Sequence, residues 1–182
     1  MSTRQRNPTP LISAADVQRR IAELAQEIDR DYADSDRLIA IGVLKGSVFF
    51  LTDLLKHLQV PVAVDFFQTS SYRDATTPGE VRILKDVELS IRGQDVLLIE
   101  DIIDTGFTLR TILDLLRFRG AKSVKLCALL DKPARRQVEV PIDYRGFEIE
   151  DVFVVGYGLD YAERYRNLPY VGVITPSSGQ DT

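Results

Sequence analysis

The segment VLLIEDIIDTGFTL, residues 96–109, decides how the rest of this sequence is interpreted. Its first four residues, 96–99, form an apolar run that is typical of a strand buried on both faces. Three carboxylates follow at once: Glu100, Asp101 and Asp104. Carboxylates at the end of a buried strand repel one another and lose hydration unless a partner compensates. A ligand or an ion is therefore expected at this strand end.

Apolar runs alternate with amphipathic stretches on either side of this segment. Strands are predicted at residues 38–44, 60–67, 96–99, 124–130 and 152–155, with weaker extended pieces at 83–89 and 146–149. Helices are predicted to begin at Ser13, which is a good N-cap with Asp16 three residues later, and to span residues 47–58 and 108–119. Strands that alternate with single helices predict an α/β fold with a mainly parallel twisted sheet flanked by helices.

The length of 182 residues predicts one domain, residues 1–182. Residues 1–12 and 175–182 are predicted to be flexible ends. Residues 70–82 have no apolar period, so they are predicted to be either a disordered surface loop or, as we favour, a mobile lid over an active site.

Composition excludes several classes of protein. The net charge of −4 gives no support for nucleic acid or an anionic membrane as partner, and the polar start MSTRQRNPTP is not a secretory signal. The single cysteine, Cys127, lies in an apolar run and is predicted to be a buried thiol in a reducing compartment. The single histidine, His57, is predicted to be solvated on a helix. A cytoplasmic location is expected.

The turn Asp104-Thr105-Gly106-Phe107-Thr108 lies between a strand and a helix. The free backbone N–H groups and the helix dipole at such a position suit a phosphate monoester. An ordinary N-cap by Asp104 or Thr105 would explain the turn equally well. It would not explain Glu100 and Asp101, which could bind sugar hydroxyls or a hard cation such as Mg²⁺. Together these features predict a ribose-5-phosphate site.

Other predicted strands also end in chemistry-bearing residues. Because ligands bind outside the carboxyl ends of parallel strands, these strand ends are expected to share one rim of the sheet. The candidate groups on that rim are Lys45-Gly46-Ser47, Glu100-Asp101, Asp131-Lys132-Pro133, and Gly156-Tyr157-Gly158 followed by Asp160.

The segment 96–106 resembles the phosphoribosyl pyrophosphate motif of the type I phosphoribosyltransferase family. Four further segments agree in order and spacing with its bacterial hypoxanthine (hypoxanthine-guanine) branch. They are Leu44-Lys45-Gly46, Ser70-Ser71-Tyr72, Leu130-Asp131-Lys132-Pro133, and FVVGYGLDY at 153–161. The resemblance spans residues 10–175 or so and implies the fold of that family, with a small hood formed by terminal segments.

The resemblance also implies roles for individual residues. Residues expected to bind phosphoribosyl pyrophosphate are Lys45, Gly46, Glu100, Asp101, Asp104, Thr105, Gly106, Phe107, Thr108 and Arg166. Residues expected to bind the purine are Lys132, Phe153, Val154 and Asp160. Residues expected to face Mg²⁺ are Glu100, Asp101 and Asp160. Ser71 and Tyr72 are expected to close as part of the lid. Asp104 is the expected acid/base at the purine N7, and a cis peptide bond is expected between Leu44 and Lys45. Phe107 is unusual, because relatives often carry a polar residue at that position.

The implied reaction joins a 6-oxopurine, hypoxanthine or guanine, to phosphoribosyl pyrophosphate and gives IMP or GMP and pyrophosphate, with Mg²⁺ as cofactor. Xanthine or a pyrimidine is an alternative base. An RNA-binding regulator with the same fold is an alternative of another class, and the acidic balance of the sequence disfavours it. The family also implies a homodimer or homotetramer.

Overall fold

The computed structural model of the chain describes residues 8–71 and 81–174. Its strands are β1 (Thr9–Ile12), β2 (Leu38–Leu44), β3 (Val62–Ser71), β4 (Val81–Lys85), β5 (Asp95–Ile103), β6 (Ser123–Asp131), β7 (Tyr144–Glu148), β8 (Val154–Val155) and β9 (Val171–Val173). Its α-helices are α1 (Ala14–Asp31), α2 (Val48–His57) and α3 (Phe107–Phe118), and a short 3₁₀ turn covers Pro133–Arg135.

The main sheet has six strands in the order β4-β3-β2-β5-β6-β7. Five of these strands, β3, β2, β5, β6 and β7, are paired in parallel, and β4 alone is antiparallel, at one edge. Alternation along β5 explains the two layers of helices. Leu97 and Ile99 pack with the buried faces of α1 and α2, whereas Val96 and Leu98 pack with α3 on the opposite side. The predicted α/β fold with a mainly parallel, helix-flanked sheet is confirmed.

A second sheet of three antiparallel strands, β1-β9-β8, is formed largely by the two ends of the described chain. It matches the expected hood. The prediction that residues 1–12 are a flexible end is wrong for Thr9–Ile12, which pair with β9. The strand predicted at 152–155 is shorter, and it belongs to this small sheet rather than to the main one. β1 has only four residues, three of them exposed, which is too few to show a periodic pattern.

Several local predictions hold. The Ser13 side chain accepts a hydrogen bond from the Asp16 backbone N–H and so caps α1. Cys127 is buried and His57 is exposed.

Strand β5 runs four residues beyond the predicted end at Ile99, so Glu100 and Asp101 lie within the strand.

The predicted lid lies mostly outside the described residues. Ser70 and Ser71 are the end of β3, and β4 begins at Val81, so both described ends of the predicted segment are strand rather than loop. Tyr72 falls within residues 72–80, which the structure does not describe, and the lid remains a prediction. Within the described part of the chain, no helix is both long enough and apolar enough to cross a membrane.

Candidate active site

An open pocket of about 240 Å³ lies where the carboxyl ends of β2 and β5 meet the start of α3. It is lined by Val43, Leu44, Thr69, Glu100, Ile102, Asp104, Thr105, Gly106, Thr108 and Leu109. The pocket therefore occupies the rim that the strand ends predicted. Thr69, on β3, was not among the predicted site residues.

The turn at the start of α3 leaves its backbone donors free. Gly106 is the N-cap residue of α3, and no side chain caps the helix, so the alternative of a cap by Asp104 or Thr105 is wrong. Gly106 has φ +93°, and a Cβ on it would lie 2.5 Å from the Val138 carbonyl oxygen. Only glycine fits this turn. The first N–H groups of the helix thus point to the pocket without a competing cap, and they can bind an anion.

The segment that follows β6 holds this turn in place. The carbonyl oxygen of Thr105 accepts hydrogen bonds from the backbone N–H groups of Gln137 and Val138, both at 3.0 Å. Arg136 Nε donates to the Asp104 carbonyl oxygen at 3.1 Å. The Arg136 guanidinium also donates to the buried carboxylate of Asp131. Sequence reasoning missed this support, although the adjacent arginines at 135 and 136 were a visible signal.

The side chain of Asp104 is half-exposed and paired. Its Oδ1 accepts a hydrogen bond from Arg135 Nε at 3.0 Å, and Arg135 Nη1 lies 3.8 Å from an oxygen of Asp151. Asp104 therefore stays within reach of the pocket, and Arg135 holds it at the entrance. No spacing in the sequence indicates this pair, because its members lie on two separate loops.

Glu100 and Asp101 are neighbours within β5, and their carboxyl groups lie close enough to influence each other. Glu100 lines the pocket. Burial, and after it the charge of Asp101, raises the pKa of the Glu100 carboxyl well above its ordinary value. Asp101 is only 8% exposed, and its Oδ1 accepts a hydrogen bond from the Ile102 N–H. Of the two neighbouring carboxylates, Glu100 therefore faces the pocket and Asp101 is buried beside it.

The turn after β2 covers Asp101. The Leu44–Lys45 peptide bond is cis, as the resemblance implied. A Cβ on Gly46 would lie 1.6 Å from Asp101 Oδ2, and a Cβ on Gly158 would lie 2.0 Å from the Gly46 carbonyl oxygen. Both positions must be glycine, because the backbone at 46 is enclosed between a carboxylate and another backbone segment.

Charged side chains gather beside this turn. Arg166 Nη2 lies 2.8 Å from Asp160 Oδ1, and Arg166 Nη1 donates to the Gly158 carbonyl oxygen at 2.7 Å. Lys45 Nζ lies 3.1 Å from an oxygen of Glu163. The predicted residues Lys45, Gly46, Asp160 and Arg166 are thus brought together. Glu163 was not predicted.

The residues expected to bind a purine lie next to Asp104. The Lys132 backbone N–H donates to the Ile103 carbonyl oxygen at 3.0 Å. The Lys132 side chain is nearly buried, and its Nζ donates to the Val152 carbonyl oxygen at 2.6 Å. Phe153 follows directly, with its ring 42% exposed and edge-on to Tyr161 at 5.6 Å between centroids. Val154 is buried. An exposed ring beside an ammonium group is a surface suited to a flat polar ring.

Comparison with known proteins agrees with this geometry. Residues 13–162 match the family model described as phosphoribosyl transferase domain. The chain is 51% identical over 168 residues to hypoxanthine-guanine phosphoribosyltransferase of Bacillus subtilis, a match that covers 92% of this chain and 93% of that protein. It is 50% identical over 167 residues to hypoxanthine phosphoribosyltransferase of Haemophilus influenzae, covering 90% and 93%.

Solved structures agree as well. The crystal structure of a hypoxanthine phosphoribosyltransferase from Staphylococcus aureus superimposes with a TM-score of 0.89 at 44% identity, covering 94% of each chain. Sequence and fold therefore lead to one conclusion: this chain belongs to the phosphoribosyl transferase domain family.

Proposed function

We propose that this chain is a hypoxanthine-guanine phosphoribosyltransferase of purine salvage. In this reaction the purine nitrogen displaces pyrophosphate from the anomeric carbon of phosphoribosyl pyrophosphate. The observation that carries the proposal is the arrangement of three subsites on one rim. Relatives named hypoxanthine-guanine or hypoxanthine phosphoribosyltransferase match the chain over nine-tenths of their own length and support it. The uncapped start of α3 faces the pocket, Lys45 and Arg166 lie beside β2, and Lys132 and Phe153 lie beyond Asp104.

The 5-phosphate is assigned to the start of α3. The turn from Asp104 to Thr108 offers backbone N–H groups, the positive end of the helix dipole and the hydroxyls of Thr105 and Thr108. Phe107 contributes its backbone N–H, so its apolar side chain does not remove a donor. The pyrophosphate group is assigned to Lys45, Gly46 and Arg166.

The purine is assigned to the face of Phe153 and to Lys132. Lysine has three N–H donors, and Val152 occupies one, so others can reach the 6-oxo group of the base. A 6-amino purine would place donor against donor and bind less well. The backbone at Val154 and Asp160 is assigned to the edge of the base.

Charge develops on the sugar during the reaction. The transition state of such a displacement has oxocarbenium character, so nearby carboxylates favour it. Glu100 lines the pocket floor, and Asp104 lies at its entrance, where it can exchange a proton with the purine N7. The lid that includes Ser71 and Tyr72 is proposed to exclude water from this cation.

The donor groups fit Mg²⁺. Glu100 is buried beside a second carboxylate, Asp101, and both effects disfavour its ionised form. A bound divalent cation would stabilise that ionised form. Among the described residues no group of three or more His, Cys, Asp or Glu could hold a metal unaided. This suits an ion that keeps waters and takes substrate oxygens. Glu100 would face it, with Asp101 behind the turn at Gly46. Asp160 would face a second Mg²⁺, and the bound metal would neutralise the leaving pyrophosphate.

A panel of bases tests the proposal. Purified protein is incubated with phosphoribosyl pyrophosphate, Mg²⁺ and, in parallel, hypoxanthine, guanine, xanthine, adenine or uracil. Nucleotide is expected from hypoxanthine and guanine and not from adenine. No product from either of those two would refute the proposal, and an RNA mobility shift without turnover would favour a regulator. A homodimer or homotetramer and a cytoplasmic location complete the proposal, and sedimentation would measure the first.

A further inference from the structure

One carboxylate beside the proposed pyrophosphate subsite has no role in the reaction described above. Glu163 Oε1 lies 3.1 Å from Lys45 Nζ, and its Oε2 lies 3.4 Å from Arg166 Nη2. Each oxygen of one carboxylate therefore contacts one of the two cations assigned to pyrophosphate. The carboxylate bridges them as a phosphate group would, with two oxygens on two positive charges.

The backbone holds Glu163 in an unusual conformation. Tyr161 and Arg164 exchange two backbone hydrogen bonds, both 3.1 Å long, around a two-residue turn made of Ala162 and Glu163. These two have φ values of +51° and +58°. Such turns are normally made of asparagine, aspartate and glycine, because other residues resist the left-handed conformation. The chain keeps alanine and glutamate there, and strained backbone of this kind clusters at functional sites.

Neighbouring groups fix the direction of the turn. Asp160 Oδ2 accepts a hydrogen bond from the Glu163 backbone N–H at 2.9 Å, and Asp160 Oδ1 binds Arg166. Within residues 8–71 and 81–174, Arg166 Nε is buried without a hydrogen-bond partner. The guanidinium is held by Nη1, which donates to the Gly158 carbonyl oxygen, while its Nη2 is shared between two carboxylates.

We propose that Glu163 is an internal counter-anion that occupies the place of pyrophosphate between Lys45 and Arg166 and sets how tightly pyrophosphate binds. This inference rests on the proposed function. When pyrophosphate binds, its oxygens replace the Glu163 carboxylate on both cations, and the carboxylate turns to water. When pyrophosphate leaves, Glu163 returns to both cations, so product release leaves neither Lys45 without a counter-charge nor Arg166 with Asp160 alone.

The exposure of these groups sets the size of the effect. The side chains of Lys45 and Glu163 are 57% and 67% exposed, so water and salt screen their attraction. One exposed pair and one half-exposed pair, with Arg166 24% exposed, must be broken, which corresponds to a weakening of pyrophosphate binding by roughly three- to tenfold. The same competition does not act on the 5-phosphate of a nucleotide, which is assigned to α3.

Calorimetric titration of the full chain with pyrophosphate and with IMP, both in Mg²⁺, tests the inference. Glu163→Gln keeps the shape of the side chain and removes its charge. It is expected to bind pyrophosphate roughly three- to tenfold more tightly and IMP as the wild type does. Tighter binding of one ligand alone is not a result that damage to the fold would give. The gain should shrink as salt is raised.

Asp36→Asn is the matched control, since Asp36 is an exposed carboxylate that precedes β2, at the opposite edge of the sheet. It is expected to leave both affinities unchanged. Pyrophosphate affinity that is unchanged or weaker in Glu163→Gln would overturn the inference, as would equal tightening in the control. A wild-type protein that binds neither ligand would instead overturn the proposed function.

Discussion

Two carboxylates on the same strand, Asp95 and Glu100, lie in opposite electrostatic environments. Asp95 begins β5, is 8% exposed and accepts hydrogen bonds from Ser35, Lys122 and Ser123 at 2.7–3.0 Å. Burial alone would raise its pKa, but these donors outweigh burial and lower it. For Glu100, burial and then Asp101 raise the pKa, and a hydrogen bond from the Asp101 backbone N–H offsets them only in part.

The two edges of the sheet that are formed by the amino and the carboxyl ends of its strands therefore differ in function. At the amino edge, charge is matched within the protein, and the carboxylate contributes to folding. At the carboxyl edge, charge is left poorly matched, and the carboxylate is available to a ligand. Stability is thus concentrated at one end of the strand and reactivity at the other.

The largest expected effect comes from a substitution at the carboxyl edge, where the reaction is proposed to occur. Asp104→Asn should lower turnover by roughly 10²- to 10³-fold, because the amide cannot exchange a proton with the purine, while phosphoribosyl pyrophosphate binding changes little. Steady-state kinetics and ligand titration measure the two quantities. Asp114→Asn, an exposed carboxylate within α3, serves as control. Equal losses in turnover and binding would contradict the acid/base role.

The next largest effect comes from a substitution at the amino edge, where Asp95 is matched by its donors. Asp95→Asn should lower the free energy of unfolding by about 1–3 kcal/mol, because three donors then face a neutral group, one of them an ammonium. Urea denaturation measures the loss, and turnover per folded molecule should not change. Because the folded pKa of Asp95 is lowered, its contribution is present above the unfolded pKa. The difference between wild type and variant should therefore disappear as pH falls below about 4 through the folded pKa. A difference that persists at low pH would show that packing, not charge, is responsible.

Lys132→Ala tests whether the reactive edge selects the base. It should raise the KM for hypoxanthine roughly tenfold, the size expected for one hydrogen bond from a charged donor, with a smaller change for phosphoribosyl pyrophosphate. Selectivity against adenine should fall in the same assay. Unchanged selectivity would remove Lys132 from the purine subsite.

The smallest effect reverses the sign seen at Asp95. Glu100→Gln should raise stability slightly at pH 8 without Mg²⁺, because it removes a carboxylate whose ionised form is disfavoured in the fold. A folded pKa that is raised contributes stability below the unfolded pKa, and this is lost as pH rises through the folded pKa. The gain in the variant should therefore vanish in acid. Loss of stability at pH 8 would show that the two edges do not differ as described.

The sequence predicted the main fold and the site to different depths. Long apolar runs such as residues 38–44 and 96–99 predict buried strands. The end of each run also predicts where its strand ends, and those carboxyl ends form the rim that holds the site. The short strands β1 and β9 were not predicted, because four and three residues are too few to show a period.

Contacts between loops that are distant in the chain could not be predicted from the sequence for a related reason. The pairs Arg135–Asp104 and Lys45–Glu163 join residues 31 and 118 positions apart, and nothing in local sequence encodes them. The burial of Asp101 depends on where the turn at Gly46 packs, which strand periodicity does not specify. A motif identifies which residues serve a site, whereas packing decides which of them remain accessible.

The enclosure of Gly46 between Asp101 and Gly158 has a consequence for how this protein can diverge. Three segments far apart in the chain meet at one point with no space for a methyl group. A side chain gained at position 46 or 158 would displace the turn that carries Lys45 and uncover Asp101 together. The sugar and pyrophosphate subsites therefore cannot be altered independently at these positions, and a lineage that changes one must rebuild the other.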